Sequence, residues 1–138
     1  MFDEAIRIRP DFAEAHNNRG SALHRQGLLD AAMECYRRAA RLKRDFVEPH
    51  YNLGIALARQ GRDAEAIEYL ERAVAVAPRL VPARLALGDA FQRLGRRDAA
   101  RDQYQAALRA DPDDAVARAR LQALAERSAA RRTDTQPR

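Results

Sequence analysis

Three histidines, one cysteine and a scatter of asparagines and arginines are the side chains of this sequence with chemistry to offer. His16 and His24 stand two helical turns apart, on one face of any helix that holds both, and His50 follows His16 after 34 residues. A zinc site of the HExxH type would need ligands and a carboxylate at one turn's spacing, which their neighbours do not supply. The histidines therefore read as side chains packed between helices. Cys35, between Glu34 and Tyr36, has no second cysteine to pair with and reads as a small core residue. The six glycines lie alternately 7 and 27 residues apart, so none clusters into a phosphate-cradling loop. Catalysis needs unlike groups converging in one pocket, whereas here like groups recur by translation along the sequence. No catalytic residue, no metal site and no cofactor is expected.

Recurrence is the more useful signal. Asn18 and Asn52 stand 34 residues apart. A carboxamide both donates and accepts, so two such rungs could pair with the backbone carbonyl and N–H groups of an extended peptide whatever its side chains. Arg25, Arg59, Arg93 and Arg127 form a second series at the same interval. Guanidinium groups in a lane suit acidic side chains or phosphate. Arginine near a helix C-terminus also complements the helix dipole while staying solvated, and that is the preferred reading of this series.

The elements that position these residues follow from the 34-residue period, which places Ala13, Val47, Val81 and Ala115 first in successive units. Position eight is then Gly20, Gly54 and Gly88, and position fifteen is Gly27, Gly61 and Gly95. Alanines fill position twenty (Ala32, Ala66, Ala100) and position twenty-seven (Ala39, Ala73, Ala107), while position twenty-four is Tyr36, Leu70 and Tyr104. Small residues at eight, twenty and twenty-seven allow two helices to approach closely. The glycine at fifteen ends the first helix, where a left-handed residue costs glycine little. Asp30, Asp63 and Asp98 are expected to cap the second helix, and Pro78 and Pro112 to close it. Leu23, Leu57 and Phe91 with Leu53, Leu87 and Leu121 supply the apolar stripe. One hairpin cannot bury that stripe alone, so the units must stack.

This pattern resembles the tetratricopeptide repeat, over roughly residues 2–127. The resemblance implies an all-α, right-handed α-solenoid of helix–turn–helix hairpins. It would comprise a half repeat over 1–12, full repeats over 13–46, 47–80 and 81–114, and a capping helix over 115–127 with the stripe Val116, Leu121 and Leu124. Departures are His16, His50 and Arg84 where the family has a large aromatic, and Arg44 in place of a closing proline. In that family the first helices line a concave groove that binds peptides. Carried over, the groove residues are Asn17, Asn18, Ser21, His24 and Arg25, then Tyr51, Asn52, Ile55 and Arg59, then Leu85, Asp89, Gln92 and Arg93. The stretches PDFAEAHNN and DAAMECYRRA are similar to repeats of O-linked N-acetylglucosamine transferases, whose asparagine ladder Asn18 and Asn52 would match; Ala86 and Arg120 interrupt it later. A different subclass grips the C-terminal carboxylate of heat-shock chaperones with paired basic residues and asparagines. At those positions this sequence has Asn17, Ser21, Asn52, Pro82 and Ala86, so only Asn52 agrees.

The reading that results is a non-catalytic scaffold binding an extended peptide segment of a protein partner. Two alternatives stay open: a self-assembling module, and the recognition arm of a larger enzyme such as a glycosyltransferase. The first residues fit the second half of a preceding unit, leaving Phe2 and Ile6 without their hairpin partner. Either the sequence is cut from a longer one, or Phe2 and Ile6 form an assembly surface for homo-oligomers. Charge adds little. The 138 residues carry a net charge of +5, of which Arg118, Arg120, Arg127, Arg131, Arg132 and Arg138 against Glu126 and Asp134 supply most. That distribution speaks against a nucleic-acid partner for the repeats. No apolar run reaches the roughly 20 residues a bilayer requires, so no membrane insertion is expected and the cytoplasm is the expected location. Residues 128–138 have little apolar character and are expected to form a disordered basic tail.

Overall fold

The computed structural model describes Asp3 and residues 12–135. Seven α-helices and no strand occupy the described residues: α1 (Ala13–Arg25), α2 (Leu29–Leu42), α3 (Val47–Arg59), α4 (Asp63–Val76), α5 (Val81–Arg93), α6 (Arg97–Ala110) and α7 (Ala115–Thr135). The odd-numbered helices begin at the first position of each 34-residue unit. Phe2 and Ile6 lie outside the described residues.

Contacts divide the protein into two units, Met1–Pro78 and Arg79–Arg138. In the first, α1 packs on α2, α3 on α4, α2 on α3, and α1 also touches α3. In the second, α5 packs on α6 and α6 on α7. Each hairpin turns on the glycine at position fifteen. Gly27 has φ of 81°, and its N–H bonds back to the His24 carbonyl while that of Leu28 reaches the Leu23 carbonyl. This paired closure satisfies two of the carbonyls that a helix C-terminus leaves open. Gly61 and Gly95 repeat it with Leu57 and Phe91 as the far acceptors.

The glycine at position eight serves packing instead. A Cβ on Gly20 would lie 2.7 Å from the Tyr36 ring and 3.1 Å from the Ala32 carbonyl oxygen. Gly54 is pressed in the same way by Leu70, and Gly88 by Tyr104. Position twenty-four thus drives a large side chain into the gap that glycine leaves, and Tyr36, Leu70 and Tyr104 are all fully buried. With Leu53, Leu57 and the alanines at positions twenty and twenty-seven they form the core. Close packing of this kind makes the period legible, because any larger residue at these positions would force the helices apart.

Two expectations need correction. Asp30, Asp63 and Asp98 do not cap: the N-cap residues are Leu28, Arg62 and Arg96, and none makes a side-chain cap bond. The aspartates sit inside the first turn, where a carboxylate still complements the positive end of the helix dipole. The helix expected to stop at residue 127 runs on to Thr135. Burial is not what carries it, since residues 129–133 are exposed. Ala129, Ala130, Arg131 and Arg132 are strong helix formers, and the Thr133 hydroxyl bonds to the Ala129 carbonyl at 3.0 Å. Within that helix Val116 is exposed, and the inward side chains are Ala117 and Leu124.

Candidate functional site

In the first unit, the polar residues of α1 and α3 meet. Asn52 of α3 donates from Nδ2 to the Oδ1 of Asn17 on α1 at 3.1 Å. Asn17 is buried, so it holds the half-buried Asn52 carboxamide in place rather than facing a ligand itself. Asn18, the residue equivalent to Asn52, is exposed. Asn52 keeps its second amide hydrogen and its oxygen outside this pair.

One turn further along runs a second polar network. Arg59 of α3 approaches His24 Nε2 of α1 at 3.0 Å. A guanidinium only donates, so Nε2 must accept, and the neutral ring carries its hydrogen on Nδ1. That nitrogen lies 3.5 Å from the Tyr36 hydroxyl, which in turn is 3.5 Å from Ser21 Oγ. Burial, followed by the charge of Arg59, holds the His24 imidazole below its ordinary pKa, consistent with the neutral form. Burial pushes the Tyr36 phenol above its ordinary value. Arg25 and Arg59 are exposed, while Tyr51 and Ile55 are half-buried on α3.

The second unit builds its polar cluster differently. The Tyr104 hydroxyl donates to Asp89 Oδ1 at 2.6 Å and lies 3.0 Å from Gln92 Oε1. Arg120 of α7 grips the same carboxylate with two bonds, Nε at 2.8 Å and Nη2 at 3.2 Å. Burial and the Asp89 carboxylate raise the Tyr104 phenol strongly, and the bond to Asp89 raises the Arg120 guanidinium. Asp89, Gln92 and Arg120, with Arg93 and Arg127, border a cleft of about 420 Å³. Asp89 is therefore spent on internal pairing rather than offered to a ligand. Leu85 is half-buried on α5 and Arg93 exposed.

The same construction recurs in the hairpins α1–α2 and α5–α6. Tyrosine at position twenty-four reaches positions nine and twelve of its own first helix: Ser21 and His24 in one case, Asp89 and Gln92 in the other. In the hairpin α3–α4 all three are apolar, Leu70 with Ile55 and Ala58. In the sequence the tyrosines stand out only as packing groups. The signal that exposes the link is this switching of three positions together. Arg120 interrupts the asparagine series in sequence, yet it reaches back to the preceding first helix as Asn52 does. The described residues hold no group of three His, Cys, Asp or Glu side chains placed to share a metal ion.

A model of the tetratricopeptide repeat matches residues 45–113, and a second, described as TPR repeat, matches residues 2–27 and 26–61. The chain belongs to the tetratricopeptide repeat family. Among solved structures, the first tetratricopeptide domain of Spaghetti (RPAP3), bound to the HSP90 peptide SRMEEVD, superposes with a TM-score of 0.81 at 23% identity. That match covers 85% of the present protein and 93% of the other. Two structures of MamA match at 26% identity over 83% of the present protein, with TM-scores of 0.77 and 0.74. The match spans 67% and 62% of the MamA chains. No curated protein sequence gives a significant match. No helix among the described residues is long and apolar enough to cross a membrane.

For this tetratricopeptide protein, the expected groove residues of the first unit, Asn18, Ser21, His24, Arg25, Tyr51, Asn52, Ile55 and Arg59, all stand on α1 and α3. Ser21 and His24 are already bonded to Tyr36, which leaves Asn18 and Asn52 as the carboxamides with capacity to spare.

Proposed function

We propose that this repeat domain is a non-catalytic module that binds an extended peptide of a partner protein along the α1 and α3 face of its first unit. Asn18 and Asn52 are the two rungs, each pairing with the peptide backbone. Arg25 and Arg59 border the same face, and Tyr51 and Ile55 contribute apolar contact. The observation that carries this reading is the Asn52–Asn17 bond. A carboxamide with one hydrogen already committed has a fixed orientation, so less side-chain entropy is lost when the peptide takes its remaining donor and acceptor.

The solved relative holding an HSP90 peptide supports a peptide as the ligand class. The residues here do not reproduce a terminal-carboxylate grip, since Pro82 and Ala86 stand where basic groups would be needed. Backbone recognition, as the likeness to O-linked N-acetylglucosamine transferase repeats implies, suits this face better. It also predicts tolerance of ligand sequence.

The test is fluorescence anisotropy with several labelled extended peptides of unrelated sequence, comparing the wild type with Asn18→Ala/Asn52→Ala. One net hydrogen bond per rung is worth about 0.5–1.5 kcal/mol, so affinity should fall roughly 5- to 150-fold for every peptide bound. Unchanged affinities would dismiss the ladder.

A further inference from the structure

The second helices of the first unit enclose a different site. Between α2 and α4 lies a cleft of about 780 Å³, bordered by Arg37, Arg41, Arg44, His50, Tyr69 and Arg72. None of its lining residues is acidic. Arg37 is paired with Glu34 at 2.7 Å, but Arg41, Arg44 and Arg72 form no ion pair with a described residue. The Arg72 guanidinium instead lies over the Tyr69 ring, 5.1 Å from its centroid.

At the base of the cleft, His50 is only 5% exposed and stacks on Tyr69 at 6.4 Å with 24° between the planes. Its Nε2 lies 3.1 Å from the Arg44 carbonyl oxygen. A carbonyl only accepts, so Nε2 carries a hydrogen, and in the tautomer with that single ring hydrogen Nδ1 is an acceptor. That Nδ1 is buried and has no partner among the described residues. An unpaired buried acceptor is costly, and a ligand with a hydrogen to give would recover that cost.

The cleft thus asks for two things at once: negative charge for the arginines and a proton for Nδ1. We propose that it binds a phosphomonoester. Near neutral pH such a group, with a second pKa of about 6, carries or readily takes up one proton while keeping charged oxygens. That proton sits between a phosphate oxygen and Nδ1, and the remaining oxygens accept from the guanidinium groups in the paired geometry arginine favours. Carboxylates and sulfate are fully deprotonated there and meet Nδ1 with lone pair against lone pair. The cleft is larger than a phosphate ion, which leaves room for the organic part of the ester beside Ala75 and Val76. This site is separate from the peptide face, and neither depends on the other.

Isothermal titration of the 138-residue protein near neutral pH, with inorganic phosphate, O-phosphoserine and sulfate at matched ionic strength, tests the assignment. Phosphate and phosphoserine should bind saturably and sulfate roughly tenfold more weakly, the equivalent of one hydrogen bond to a charged group. Tighter binding of phosphoserine than of phosphate identifies the ester as the ligand; equal binding identifies the free ion. Arg41→Gln/Arg72→Gln, both at exposed positions, should weaken phosphate by roughly tenfold or more. His50→Phe keeps the ring stack and should abolish the preference for phosphate over sulfate. If His50→Phe does not fold, the nitrogen-15 signal of His50 Nδ1 in the wild type replaces it and should move on adding phosphate. Equal binding of phosphate and sulfate, a static Nδ1 signal, or no saturable binding would overturn the proposal.

Discussion

Two tyrosines at the same repeat position offer a controlled comparison of hydrogen-bond strength. Tyr36 and Tyr104 are both buried, both pack over a position-eight glycine, and both point a hydroxyl at positions nine and twelve. They differ in what they meet. Tyr104 donates to the Asp89 carboxylate at 2.6 Å, whereas the Tyr36 contacts to Ser21 and His24 are 3.5 Å, at the edge of bonding distance. A bond to a charged acceptor is worth about 1.5–3 kcal/mol, and one stretched to that edge much less than the usual ~1 kcal/mol. Tyr104→Phe should therefore cost about 1.5–3 kcal/mol. Arg120 still holds Asp89 after the change, so no orphaned charge adds to the loss. Tyr36→Phe should cost about 0.5 kcal/mol or less. At roughly 4 °C per kcal/mol for a protein of this length, Tm by circular dichroism should fall about 6–12 °C in the first variant and about 2 °C in the second. Equal losses, or no loss in Tyr104→Phe, would refute the claim that the carboxylate makes the difference.

Other outcomes follow from packing and from charge. Gly20→Ala gains about 1 kcal/mol of helix propensity but drives its Cβ into the Tyr36 ring and toward the Ala32 carbonyl, an overpacking cost of about 1–3 kcal/mol. Urea unfolding should show a net loss of up to about 2 kcal/mol; a variant more stable than the wild type would mean that the ring moves freely aside. His24, held below its ordinary pKa by burial and Arg59, is less readily protonated folded than unfolded. Its contribution to stability is therefore complete above the unfolded value of about 6.5 and is lost as pH falls through the lower folded value. Thermal melts of wild type and His24→Gln across that window should converge as pH drops, and parallel curves would show that His24 is not the group titrating.

Much of the architecture is legible without coordinates because it rests on volume. Only glycine fits where Tyr36, Leu70 or Tyr104 presses on the first helix, and only glycine turns at Gly27 without strain. Both demands recur every 34 residues, so the hairpins and their starting points can be read directly. The helix end at residue 127 could not be read from apolar content, because Ala129 to Arg132 continue a helix by propensity while remaining exposed. The aspartates expected as caps were misplaced by one or two residues, a difference that decides whether a carboxylate can fold back onto the helix end.

The candidate sites divide along the same line. That Asn18 and Asn52 are equivalent, and that arginines recur at position thirteen, are properties of the sequence as written. Which asparagine is buried and which is left with bonding capacity was decided by the packing of α1 against α3, which joins residues 35 apart and puts Asn17 behind Asn52. Asp89 stood in sequence as a groove residue, and only the approach of α7 committed it to Arg120 and Tyr104. The arginine-lined cleft showed in the sequence only as two separate departures, His50 and Arg44, since Arg41, His50 and Arg72 occupy unrelated positions of two repeats. Periodicity determines the positions that every repeat must satisfy alike. Contacts between one hairpin and the next are made by the positions free to vary, and those acquire a role only when the helices carrying them are packed together.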